Sequence, residues 1–207
     1  MFSILLVDDH PAICFALKLL IEKTGKFEVK TSDGNDLIYN IDVSKYDLVI
    51  LDLELKHCNG LDILPRIKAR APYLKILIFS SQPAELYALR TFRAGADGFI
   101  SKETDLENII SICQLLLDGY QCFPAFILNK IQENVNPDIN ILEKLSDREL
   151  TVLQALSNGQ SNKEISNLLN VSPKTITTYK MRIIKKCGVS NIDSVIDLLK
   201  VTDKNDD

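Results

Sequence analysis

The chain has 207 residues, 46% of them hydrophobic, and a formal net charge of −4. That supports one large or two modest domains with well-formed cores and excludes a largely disordered protein. No stretch reaches about 18 uninterrupted apolar residues, and the N-terminus lacks the basic region and small-residue cleavage site of a secretory signal, so a soluble cytoplasmic protein is expected.

The charge is uneven. Residues 1–144 carry 15 Lys+Arg against 20 Asp+Glu, whereas residues 145–207 carry 9 against 8. Within the second part, residues 173–187 hold Lys174, Lys180, Arg182, Lys185 and Lys186 with no acid. Such a stripe is either a solvated helix face or an attraction for a polyanion. The five cysteines (14, 58, 113, 122 and 187) are scattered, without the paired short spacings of a zinc site, and most are expected as buried thiols.

From residue 1 to about 118, short apolar runs alternate with stretches of helix-like periodicity, the pattern of βα units around a parallel sheet. The predicted strands are Ile4–Val7, Phe27–Thr31, Leu48–Leu51, Lys75–Phe79 and Gly98–Ile100. Pro11 and Pro83 sit just inside predicted helix starts. The last helix is expected to begin near Asp105, as a cap, and to stop at Gly119.

Residues 120–144 break this rhythm with Pro124, Pro137 and four asparagines, and read as a linker. Its first part, through Leu128, is apolar enough to pack on a domain, whereas 133–140 reads as mobile coil. From Leu145 on, four short helices are predicted near 147–158, 162–169, 173–187 and 192–200. Ser146 with Glu149 and Ser161 with Glu164 form capping boxes, and Ser172-Pro173 supplies an N-cap followed by proline. The central pair is separated only by Asn170-Val171-Ser172, a turn of helix-turn-helix length. The tail from Asp203 is expected to be disordered.

The chemistry sits at strand ends. Asp8 and Asp9 close the first apolar run and Asp52 closes the third, and ligands of open α/β sheets bind outside the carboxyl ends of strands. Three crowded carboxylates suit a hard divalent cation such as Mg²⁺. Ser80 ends the fourth run and Lys102 follows the fifth. A hydroxyl and an ammonium there could hold the oxygens of a phosphoryl group carried on a carboxylate.

Asp8-Asp9, Asp52, Ser80, Phe99 and Lys102 stand in the order and spacing of the response-regulator receiver domain, which residues 1–119 resemble. The resemblance implies a flavodoxin-like (βα)5 fold. It further implies Asp52 as phosphoacceptor, and Asp8, Asp9, Asp52 and the backbone carbonyl of Glu54 as Mg²⁺ ligands. Ser80 and Lys102 would bind phosphoryl oxygens, with Phe99 as an aromatic switch. Two positions depart from the pattern: Lys56 stands where a proline is usual, and Glu103 follows Lys102.

Residues 145–202 resemble the LuxR-type DNA-binding domain through Leu145-Ser146-Asp147-Arg148-Glu149, Gly159-Gln160-Ser161-Asn162-Lys163-Glu164-Ile165 and Val171-Ser172-Pro173-Lys174-Thr175-Ile176. Together the halves resemble the NarL/FixJ class, and Gly119–Pro124 with Lys174–Lys180 narrow this toward BvgA/EvgA-like regulators. On the helix 173–187, Ile176, Ile183 and Cys187 fall on one face and Lys174, Thr177, Thr178, Met181 and Lys185 on the other. Lys180 and Arg182 add phosphate attraction, while Thr177, Thr178 and Met181 are the candidate base readers. The last helix resembles the family's dimerisation helix, with burial in its own domain as the competing reading.

The resemblance implies a phosphorylation-dependent transcription regulator, a switch and not a metabolic enzyme. Its partners would be a sensor histidine kinase, double-stranded promoter DNA, a second copy of the chain and RNA polymerase, with no membrane contact. Two other readings compete. One is an aspartyl-phosphate hydrolase of the haloacid-dehalogenase kind, which wants a second aspartate where Glu54 stands. The other is a regulator that does not use phosphorylation, against which the intact acidic set argues.

Overall fold

A computed structural model describes residues 1–34, 42–56, 58–127 and 142–202. The chain divides into two compact units, Met1–Gln132 and Glu133–Asp207.

The first unit is built on a parallel sheet of β1 (Phe2–Val7), β2 (Phe27–Ser32), β3 (Leu48–Leu51), β6 (Lys75–Ser80) and β7 (Gly98–Ser101), in the order β2-β1-β3-β6-β7. Ile4–Val7 and all of β3 are buried. Helices cover both faces of such a sheet, which is why these runs are continuously apolar instead of alternating. Ile4, Leu6, Leu48 and Ile50 pack with Leu17 and Ile21 of α1 (Pro11–Glu22) and with Ile109, Cys113 and Leu116 of α4 (Asn108–Leu117). Buried Ile63, Leu64 and Ile67 come from α2 (Gly60–Arg70), and buried Leu86, Tyr87 and Leu89 from α3 (Ala84–Arg93).

The predicted strands all form, each within two residues of its expected ends. A helix expected between β2 and β3 falls partly on residues 35–41, outside the described residues. Pro11 opens α1, but Pro83 is the N-cap of α3 and not its first turn. Asp105 accepts the Glu107 N–H at 3.2 Å, three residues ahead of α4, and Gly119 takes φ +97° after it. A short antiparallel hairpin, β4 (Glu54–Leu55) with β5 (Cys58–Asn59), follows β3 and has no periodicity long enough to read from sequence.

The apolar segment after Gly119 packs on this unit. Cys122 bridges Gly98, the Phe99 N–H donates to its carbonyl at 2.8 Å, Phe123 meets Phe92 edge to face, and Ile127 is buried. The mobile coil expected over 133–140 and the disordered tail from Asp203 lie outside the described residues.

The second unit holds α5 (Asp147–Ser157), α6 (Asn162–Leu168), α7 (Pro173–Cys187) and α8 (Ile192–Thr202). Both capping boxes form, and the Ser172 hydroxyl accepts the Thr175 N–H. Asn170 takes φ +52° between α6 and α7, a left-handed conformation that asparagine tolerates, which lets the turn stay short. Leu150, Leu153, Ile165, Ile176, Ile183, Val195 and Leu199 are buried. The last helix therefore buries Val195 and Leu199 within the chain. Among the described residues, no helix is long and apolar enough to cross a membrane.

Candidate functional site

Register assembles the acidic cluster. Val7 of β1 pairs with Leu51 of β3, so Asp8 and Asp52 leave the sheet side by side, with the Asp52 N–H donating to the Val7 carbonyl at 2.9 Å. β1 and β3 flank the point where strand order reverses, the place where such sheets open a crevice. Ser80 pairs with Ser101 across β6 and β7, and the Lys102 N–H donates to the Ser80 carbonyl at 2.9 Å. Four sheet strands thus deliver Asp8, Asp9, Asp52, Ser80 and Lys102 to one end.

Asp8, Asp9 and Asp52 are all buried. Lys102 Nζ lies 2.7 Å from Asp52 Oδ2 and 2.6 Å from Asp8 Oδ2. Burial lifts the Asp52 carboxyl above its ordinary range, since the hydrogen bond and charge of Lys102 only partly offset desolvation. The same burial opposes the charge on Lys102, but Asp52 and Asp8 outweigh it and hold the ammonium protonated beyond its usual range. Asp52 Oδ1 also accepts the Glu54 N–H at 3.2 Å. Ser80 is completely buried and its Oγ accepts the Gln82 N–H at 3.2 Å, while Phe99 is buried in β7.

Two further residues reach the cluster. His10 Nδ1 lies 3.0 Å from carboxylate oxygens of both Asp8 and Asp9. Lys56 donates its backbone N–H to Asp9 Oδ2 at 3.0 Å. The adjacency of His10 to Asp8-Asp9 was a signal for the first; for Lys56 the only signal was its departure from the receiver pattern. Cys14 points its Sγ at the Asp8 carbonyl, and burial with the charge of Asp8 pushes its thiol pKa up. Cys14, Cys113 and Cys187 are buried, as expected of most thiols here; Cys58 and Cys122 are half-buried.

The donor set fits a hard cation. Ligand atoms of Asp8, Asp9, His10 and Asp52 lie within 4.8 Å of one another. Asp8 Oδ2 faces Lys102 Nζ and Asp9 Oδ1 faces His10 Nδ1, yet three buried carboxylates crowd around a single buried ammonium, an excess of negative charge that a divalent cation would offset. Carboxylates suit Mg²⁺; His10 is the one member of the set outside that preference.

On α7, Ile176, Ile183 and Cys187 are buried and Lys174, Thr177, Thr178, Met181, Arg182 and Lys185 are exposed, with Lys180 half-buried. Lys174 and Lys185 therefore share a solvent face with the candidate readers, whereas Lys186 of the basic stripe is engaged by buried Glu149 at 2.6 Å. Thr177 and Thr178 donate their hydroxyls back to the Pro173 and Lys174 carbonyls, at 3.3 and 3.1 Å. Each then offers only a methyl and acceptor lone pairs outward.

A five-stranded parallel sheet with an acidic, lysine-bearing carboxyl end, joined to a helix-turn-helix unit, defines a response regulator with an attached DNA-binding domain. Residues 4–114 match the response regulator receiver domain and residues 143–199 the bacterial regulatory proteins of the LuxR family. The chain belongs to this family of two-component response regulators, which are transcription regulators and not enzymes. It is 36% identical over 202 residues to the virulence-factor transcription regulator BvgA of Bordetella pertussis, covering 96% of each chain. It is also 39% identical over 201 residues to the fimbriae Z protein of Salmonella typhimurium, again covering 96% of each. The DNA-binding transcriptional activator EvgA of Escherichia coli is 30% identical over 202 residues, with 97% of each covered. Among solved structures, RcsB from Salmonella enterica, bound to promoter rprA with the phosphomimetic BeF3−, shares the fold at TM-score 0.67 and 24% identity. That match covers 97% of this chain and 99% of RcsB.

Proposed function

We propose that a histidine kinase transfers a phosphoryl group to Asp52 and that the phosphorylated protein binds promoter DNA as a dimer in the cytoplasm, acting there on RNA polymerase. In the transfer, a carboxylate oxygen of Asp52 attacks phosphorus, the bond to the donor imidazole breaks, and an acyl phosphate forms on Asp52. The observation that carries this reading is the placement of Lys102 Nζ 2.7 Å from Asp52 Oδ2, at a strand end shared with Asp8 and Asp9.

Lys102 is positioned to follow charge from the carboxylate onto phosphoryl oxygens, and the Ser80 hydroxyl is free to leave its turn bond to Gln82 and donate to them. Phe99, two strand positions before Ser101, would respond to that movement from within β7. Asp8, Asp9, Asp52 and the Glu54 carbonyl would hold Mg²⁺, which when bound supplies neutralising charge. On DNA, Lys174, Lys180, Arg182 and Lys185 would meet phosphates while Thr177, Thr178 and Met181 face base edges. Dimer pairing through α8 would have to use the part of that helix not spent on Val195 and Leu199.

The test is incubation with acetyl phosphate and Mg²⁺ followed by intact mass measurement. Wild type should gain one phosphoryl group and Asp52→Asn none. A gain that survives the substitution overturns the assignment.

A further inference from the structure

Lys56 directly follows β4, whose Leu55 pairs with Cys58 of β5. The hairpin carries it over Asp9. Its backbone N–H donates to Asp9 Oδ2 at 3.0 Å, its Nζ donates to the Asp9 carbonyl at 3.3 Å, and Nζ lies 3.7 Å from Asp9 Oδ2. Asp9 is buried, while the Lys56 side chain is 66% exposed and can swing into solvent without disturbing the core.

Position 56 is also where the sequence leaves the receiver pattern. A proline there has no N–H to give and no charge. Lysine supplies both to an acid assigned to hold the metal, so a divalent cation arriving at Asp9 meets an ammonium already present. Lys102 cannot fill this place, because its Nζ is committed to Asp52 and Asp8.

We propose that Lys56 is an internal competing cation that weakens binding of a divalent ion at Asp9 and so sets how much of that ion the site requires. This rests on the metal reading of Asp8, Asp9 and Asp52 given above. On binding the ammonium would give up its hydrogen bond to the Asp9 carbonyl and move into solvent, with no covalent bond made or broken.

The test uses the full chain without a phosphodonor, Mn²⁺ as probe, and free Mn²⁺ quantified by its paramagnetic resonance signal. Lys56→Met should bind about three- to tenfold tighter than wild type, the range for a unit charge at this distance in a largely aqueous setting. Lys56→Arg should stay within about twofold of wild type, because the charge is kept. Lys30→Met, on the exposed side of β2, should change nothing. Equal affinity of Lys56→Met and wild type overturns the proposal. Asp9→Asn separates the two ideas: if it abolishes binding while Lys56→Met has no effect, only the role of Lys56 fails. If Asp9→Asn binds like wild type, the metal reading fails and the proposal falls with it.

Discussion

Lys102 bridges Asp52 and Asp8, with its Nζ 2.7 Å from one carboxylate and 2.6 Å from the other, and neither acid has another lysine ammonium within 4 Å among the described residues. Replacing it with methionine leaves three buried acids without this cation. The variant should melt below wild type in chelator, and Mg²⁺ should raise its melting temperature more than it raises that of wild type. Thermal unfolding with and without the ion checks this; equal increments in the two proteins would show that Lys102 does not carry the charge balance.

Asp52 offers a pH test with a defined sign. Its folded pKa is raised chiefly by burial, so ionisation is penalised in the folded state. Its contribution to stability is fully present below the unfolded value of about 3.9 and is lost as pH rises through the folded value. Asp52→Asn, which cannot ionise, should therefore gain stability over metal-free wild type above that pH, with the gain shrinking on acidification. Denaturant midpoints across pH would show it, and a gain independent of pH would contradict it.

Gly60 opens α2 where a Cβ would collide with the Asp52 carbonyl and stand 2.8 Å from Leu53 Cα. Those are backbone atoms and cannot step aside. Gly60→Ala should cost about 1–3 kcal/mol by overpacking and should weaken divalent-cation binding by moving the Asp52 loop. Chemical denaturation and Mn²⁺ titration of the same variant check both effects.

Much of this arrangement was legible because it depends on local rules. Four fully buried residues ending in aspartate mark a strand and its site together, and capping boxes at Ser146 and Ser161 fix helix starts within a residue. The reach of Lys56 to Asp9 was not legible, since it spans 47 positions and depends on a hairpin two residues long on each side. Asp105 is not the direct cap of α4, because its side chain makes the same kind of bond to a turn one step earlier.

Glu149 in the second unit behaves oppositely to Asp52. Burial would raise its pKa, but the Lys186 hydrogen bond at 2.6 Å and the capping contacts with Ser146 outweigh it and lower it. The stability this contributes is present above the unfolded value of about 4.3 and is lost as pH falls through the folded value. Lys186→Met should cost about 1–3 kcal/mol at neutral pH, discounted by the partial exposure of the lysine, and less in acid. Hydrogen exchange of α5 and α7 as a function of pH reads this locally.

On α7, Lys174 and Thr178 should separate affinity from sequence choice. Lys174→Ala is expected to weaken binding to specific and random duplexes alike and to reduce the salt slope by about 1. Thr178→Ala removes an outward methyl and oxygen, and should change which sequence is preferred at little cost on random DNA. Titrations on both duplexes at several salt concentrations distinguish the two.

The bond from the Phe99 N–H to the Cys122 carbonyl has a consequence for solubility. β7 is a terminal strand of the sheet, and an open strand edge is a template for pairing with another chain. Residues just beyond Gly119 occupy part of that edge, whereas β2 at the opposite border projects Glu28 and Lys30 outward. A protein shortened to residue 119 would uncover the backbone of β7 and should self-associate, through the strand that carries Phe99.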